Sequence, residues 1–343
     1  MKNHRIQISA LLIFAMLWGL FLSGCSEKTS KETAEIYALD TIVNITAYGE
    51  NSTNAIENAK AEIMRLEKLF SVTREGSDIS RINSAKGESV RVSEETFELI
   101  AAAVDAAVLT QGRFDITLCG VLKLWGFTEE NYRVPSKEEI SRELEKTGYE
   151  KIALSSPDEV LVPDGTKIDL GGIAKGYIGD RLAEVMKSAG CEYGVISLGG
   201  NVRTFGEKEQ GESFVVGIQH PQSGGYFATL QTGEASVITS GAYQRNFTEN
   251  GKTYHHILNS ETGYPAESDI ESVTVTGADG ALCDALSTAL FAGGSSYAEK
   301  LQEELGSFEY VILLKDGDVL VSEGLKGKFS LSADYQNLNI RYI

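Results

Sequence analysis

Apolar residues recur at three-and-four spacing along much of the chain, and each such run predicts an amphipathic helix. From 54 to 70 the set is Ile56, Ala59, Ile63, Leu66, Leu69 and Phe70. Ser93 reads as an N-cap, with Glu94 and Glu95 in the first turn of an alanine-rich helix to about Gln111. Ser136 and Glu139 have the spacing of a capping box for a helix to about Lys146. Ile173, Ile178, Leu182, Val185 and Met186 predict a helix to about Ala189, and 281–292 and 297–305 predict two more. β-Branched residues with partial alternation predict a first strand over 36–48. Short strands follow at 152–154, 160–161, 167–170, 214–219, 227–231, 235–239 and 270–276, with a strand–turn–strand over 193–205. Asp316-Gly317 marks a hairpin between 311–314 and 319–321. Segment 70–87 is polar and turn-rich. Helices and strands mix without βαβ alternation, so the prediction is an α+β fold of mixed or antiparallel sheets with packed helices.

The first 25 residues stand apart. Lys2 and Arg5 precede an apolar run from about Ile8 to Leu22, the pattern of a signal peptide and too short for a favoured membrane span. The ending Leu22-Ser23-Gly24-Cys25 resembles the bacterial lipobox, which implies a lipid on Cys25 and a cell-membrane anchor facing the extracytoplasmic side. Residues 26–34 then read as a polar tether, with one domain over 35–343. The formal charge is −18, and the leader carries two basic and no acidic residues, so the remainder is more negative still. Such a body excludes nucleic acid as a partner, and any phosphate must be held by local donors or a metal ion. Cys119, Cys191 and Cys283 lack C-x-x-C spacing and are expected as buried free thiols.

Four segments carry candidate chemistry. KIDLGGIAKGYIGDR, 167–181, pairs a Gly171-Gly172 turn with a helix start, parts that can hold an anion through free amides. Asp169 precedes the turn, and Lys175 stands in the first helical turn, where a cation is unfavourable to the dipole. The segment also reads as an ordinary connection with a solvated lysine. Asp284, Ser287 and Thr288 share one face of the 281–292 helix, an oxygen set suited to Mg²⁺. Asp279 takes the capping position, which leaves Asp284 inside an apolar helix. His255 and His256 face opposite sides if in a strand, and His256 is the candidate base or phosphate contact. Arg113, Phe114 and Asp115, followed by Trp125 and Phe127, form either a flat-ring pocket or core aromatics.

Six motifs in order resemble those of the FAD:protein FMN transferases, the ApbE-like lipoproteins. They are FDITLCGVLKLWGF (114–127), KIDLGGIAKGYIGD (167–180), GVISLGGNVRTFG (194–206), ITSGAYQRNF (238–247), HHILNSETGYP (255–265) and ALCDALSTALF (281–291). The resemblance implies one large catalytic domain, a T-fold-like core with a smaller α/β part. It implies Mg²⁺-dependent transfer of the FMN moiety of FAD to a Thr or Ser hydroxyl of an acceptor flavoprotein in a membrane or exported redox complex, releasing AMP. FAD pyrophosphatase activity and flavin binding without chemistry are the alternatives. By position, Leu39, Thr73, Arg113, Phe114, Asp115, Asp169, Lys175 and Leu258 would contact FAD. Gly172, Asp284, Ser287 and Thr288 would hold the metal, with His256 or Asp284 as candidate catalytic residues. The chain departs from the family at Leu39-Asp40-Thr41 in place of Met-Gly-Thr, at Thr73 in place of an aromatic, and at Asn259-Ser260 in place of Asp-Pro.

Overall fold

Nine strands build one sheet in the order in which they occur along the chain. They are β1 (Lys31–Ala38), β2 (Thr41–Tyr48), β3 (Tyr193–Leu198), β4 (Asn201–Gly206), β5 (Ala235–Gly241), β6 (Ile270–Gly277), β7 (Glu309–Leu314), β8 (Val319–Val321) and β9 (Ile340–Tyr342). Every neighbouring pair is antiparallel except β8–β9, which is parallel. The computed structural model describes residues 30–155 and 157–343. Eight helices are described: α1 (Ser52–Phe70), α2 (Asp78–Ser84), α3 (Glu94–Leu109), α4 (Cys119–Trp125), α5 (Lys137–Leu144), α6 (Ala174–Ser188), α7 (Gly280–Gly293) and α8 (Ser295–Leu305). The α+β expectation holds.

Helix α1 packs on β1 and β2, α6 on β3 to β5, and α7 on β5 and β6. Alternation along β2 sends Val43, Ile45 and Ala47 into this layer and leaves Ile42 and Asn44 outside. They meet Ile63 and Leu66 of α1 and Ile178, Leu182 and Met186 of α6, all fully buried. Each such aliphatic side chain contributes about 1.5–3 kcal/mol by leaving water. The opposite face is covered at the β5–β9 end by a three-stranded sheet of Phe214–Gln219, Tyr226–Thr232 and Phe329–Leu331.

Several expectations are corrected. The strand expected over 36–48 is the β1–β2 hairpin, turning on Leu39-Asp40, both at φ 55°. That is the left-handed pair a two-residue turn needs, without the glycine or asparagine that would announce it. β1 begins at Lys31, so residues 31–34 of the expected tether belong to the sheet. The signal peptide, Cys25 and residues 26–29 lie outside the described residues. The strand expected at 167–170 is a single bridge, Leu118 to Lys167. Helices α2 and α4, seven residues each, and the hairpin Asn246–Glu249 with Lys252–His255 were not predicted. The three expected free cysteines are free and buried.

Candidate active site

Three connections gather at one end of the sheet: the β1–β2 turn, the Gly199-Gly200 turn between β3 and β4, and the exit of β5 toward Arg245. The segment leading to α6 is anchored beside them. Asp169 donates its amide to the Ile116 carbonyl at 2.9 Å and accepts at Oδ1 from the Gly171 amide at 2.8 Å. The turn is tightly packed at 172. A Cβ there would lie 3.1 Å from the ring of buried Phe114 and 3.7 Å from Thr288 Oγ1. The glycine turn and the oxygen face of α7 therefore meet.

The start of α6 meets the expectation of free amides only in part: those of Gly172 and Lys175 have no hydrogen bond among the described residues, and the others are taken. Ile173 and Ala174 both donate to the Leu170 carbonyl, and the Gly176 amide donates to Asp284 Oδ2 at 3.0 Å. Asp284, rather than a phosphate, meets the positive end of this helix. In a regular helix the Gly176 amide would bond the Gly172 carbonyl. Its diversion leaves that carbonyl with no hydrogen bond among the described residues. The Thr288 hydroxyl, partly exposed, likewise has no described partner.

Asp284 is 4% exposed. Its Oδ1 accepts from Asn201 Nδ2 at 3.1 Å, and no described cation pairs with it. Each carboxylate oxygen keeps lone-pair capacity. A buried carboxylate without a cation is costly, and two unpaired neutral oxygens stand nearby. Ser287 is different. Its hydroxyl donates to the Asp284 carbonyl at 2.8 Å and bonds Ser240 Oγ at 2.7 Å. It joins α7 to β5, so Gly172, Asp284 and Thr288 form the open oxygen set without it.

Positive charge from Lys175 and Arg245 acts on Asp169 and His256. Lys175 is partly exposed, with no ion pair within 4 Å among the described residues. Burial pushes the Asp169 carboxyl up, while Arg245 and Lys175 pull it down. Burial also lowers His256 to about 3, with Lys175 and Arg245 adding to the effect and a bond to the Arg245 backbone opposing it. His256 Nδ1 lies 3.2 Å from the Arg245 carbonyl, which only accepts. The proton is therefore assigned to Nδ1, leaving Nε2 as an acceptor. Arg245 reaches Asp40 of the β1–β2 turn at 3.8 Å.

The other sequence-predicted residues make contacts of their own. Arg113 lies 4.1 Å over the Tyr297 ring. Asp115 accepts from the amide and hydroxyl of Thr117 and from the Tyr149 amide. Leu39 donates its amide to Glu67, and Thr73 bonds Ser71. Leu258, Trp125 and Phe127 are buried in one cluster, and Trp125 Nε1 donates to the Gly263 carbonyl at 2.8 Å. Trp125 and Phe127 are thus core aromatics rather than pocket walls. Sequence reasoning missed Asn201 and Gly176 as the partners of Asp284. Their only signal was a polar residue directly after Gly199-Gly200 and a glycine inside a helix.

A sequence profile of the ApbE family matches residues 39–312. The chain belongs to the ApbE family. Among similar proteins, the FAD:protein FMN transferase of Klebsiella pneumoniae is 32% identical over 80% of this chain and 87% of its own. That of Treponema pallidum is 26% identical over 95% and 96%. The crystal structure of the ApbE protein of Thermotoga maritima superposes with a TM-score of 0.82 at 37% identity, over 87% of this chain and 99% of that one. The apo flavinyl transferase ApbE of Pseudomonas stutzeri, at 24% identity and a TM-score of 0.78 over 88% and 97%, shares the fold. In this ApbE-family chain the match spans every site residue from Leu39 to Thr288, and Cys25 lies outside it.

Proposed function

We propose that the chain is an FAD:protein FMN transferase that uses Mg²⁺. The observation that carries this reading is Asp284, a buried carboxylate with no described cation, beside a Gly172 carbonyl and a Thr288 hydroxyl that are unpaired. Among the described residues no three His, Cys, Asp or Glu side chains converge, so an ion here would rest on one carboxylate and neutral oxygens. That set suits Mg²⁺, which keeps waters and phosphate oxygens in its remaining positions. Bound there, the ion would offset charge developing on the pyrophosphate as it is split.

The acceptor Ser or Thr oxygen bonds to the FMN phosphorus, the phosphoanhydride P–O bond breaks, AMP leaves with that electron pair, and the hydroxyl proton is released. Lys175 and Arg245 supply positive charge for the pyrophosphate in an otherwise acidic protein. Neutral His256 orients the hydroxyl by accepting its hydrogen bond at Nε2. The acceptors are flavoprotein subunits of membrane or exported redox complexes, reached from a lipid anchor at Cys25 on the extracytoplasmic side. A Cys25→Ser variant that still partitions with membranes would remove the anchor.

Incubation with FAD, Mg²⁺ and a candidate acceptor, followed by intact-mass measurement, tests the activity. An acceptor heavier by one FMN supports transfer. AMP and free FMN without an adduct would make the enzyme a pyrophosphatase, and unchanged FAD would make it a binder.

A further inference from the structure

Helices α6 and α7 cross at their first turns, and each carries a glycine followed four residues later by an aspartate. On α6 these are Gly176 and Asp180, and on α7 Gly280 and Asp284. Asp284 Oδ2 accepts from the Gly176 amide at 3.0 Å, and Asp180 Oδ2 accepts from the Gly280 amide at 2.6 Å. Each helix start is therefore capped by a carboxylate of the other helix. The glycines make this approach possible. A Cβ at 176 would stand 2.0 Å from the Gly280 carbonyl oxygen, and one at 280 would stand 2.5 Å from that of Gly176.

Strand β4 completes both halves from one face. Asn201 donates to Asp284 Oδ1 at 3.1 Å, and Arg203, two residues on, lies 3.2 Å from Asp180 Oδ1 through Nε. The halves differ in charge. Arg203 neutralises Asp180 and continues to the Ala278 carbonyl and to Glu234, itself paired with Lys187. Asn201 is neutral and leaves the charge of Asp284 uncompensated. One half is a closed structural lock, and the other is open toward Gly172 and Thr288.

We propose that Asp180 is a positioning residue for the metal site: its hold on the Gly280 amide and on Arg203 sets how α7 lies against α6, and so fixes Asp284 and Thr288 relative to Gly172. Among the described residues Asp180 has no hydrogen bond or ion pair to any of those three. The proposal rests on the transferase reading for its functional consequence, but the clasp can be tested without it.

Amide exchange is measured on the metal-free protein for wild type, Asp180→Ala and the gentler Asp180→Asn, which keeps an acceptor for Gly280. Mg²⁺ titrations of FMN transfer accompany it. In Asp180→Ala, exchange is expected to quicken at the Gly280 amide and also at the Gly176 amide on the other helix. The Mg²⁺ concentration for half-maximal transfer is expected to rise about tenfold, the scale for residues that support metal ligands. Asp180→Asn is expected to fall between. Faster exchange confined to the start of α7, with unchanged Mg²⁺ half-saturation, would make Asp180 a local cap and overturn the proposal. Failure of the wild type to transfer FMN would sink the functional reading, and exchange at Gly176 would still decide whether the clasp couples the helices.

Discussion

Asn83 pairs with Ile168 as one strand pairs with another: its Nδ2 donates to the Ile168 carbonyl at 2.9 Å, and its Oδ1 accepts from the Ile168 amide at 2.8 Å. The backbone that leads into the Gly171-Gly172 turn is thus held by one side-chain amide from α2, where no regular strand is present.

Removing that amide leaves two backbone groups of a buried residue without their partner. Asn83→Ala is expected to cost about 2–3 kcal/mol, from about 1–3 kcal/mol per unsatisfied group with partial rescue by water. It is also expected to lower FMN transfer by more than the lost folded fraction explains, because the turn bearing Gly172 loses one of its anchors. Urea unfolding beside an activity assay on the folded fraction checks both. Wild-type stability would show that the pairing contributes nothing.

What could be read along the chain was local. The caps at Ser93, Ser136 and Asp279 form as their spacing predicts, since cap and amide are three residues apart. The oxygen face of α7 was legible because Asp284 and Thr288 lie one helical turn apart. That the Gly176 amide is taken could not be read locally, because the residue that takes it is 108 positions away. The pairing of Asn83 with Ile168 spans 85 positions and leaves no local trace. Two short helices were missed because seven residues give barely two turns of periodicity. The β1–β2 turn was missed because Leu39 and Asp40 adopt positive φ, which carries a steric cost for side chains other than glycine.

His256 is the next residue to test, through pH. Its imidazole has a folded value of about 3, below the ordinary 6.5. Between those values the unfolded chain binds more protons than the folded one, so stability rises with pH across this window. The contribution is fully present above about pH 6.5 and is lost as pH falls toward 3. Relative to His256→Gln, the wild type should lose stability steadily from pH 6.5 downward. The rate of FMN transfer should show no limb near pH 6–7 that disappears in the variant. Such a limb, present in the wild type and absent in His256→Gln, would make His256 a titrating general base in place of a neutral acceptor.

Asp78 gives a second pH signature of different origin. Its carboxylate is 5% exposed and receives the Ser93 amide, the Ser93 and Thr96 hydroxyls and the Arg81 guanidinium, joining α2 to the cap of α3. Burial works to raise its pKa, yet these donors together hold it below the ordinary 3.8. Here too the unfolded state binds the proton first as pH falls, so the stabilisation is complete above about pH 4 and disappears as pH drops through the folded value. Asp78→Asn keeps the size and loses the charge. At pH 7 it is expected to cost about 2–4 kcal/mol, as for charged hydrogen bonds broken in a buried site. Denaturant midpoints of wild type and variant should differ widely at pH 7 and converge below pH 3.8. A gap that stayed constant with pH would mean that shape, and not the ionised carboxylate, holds α2 against α3.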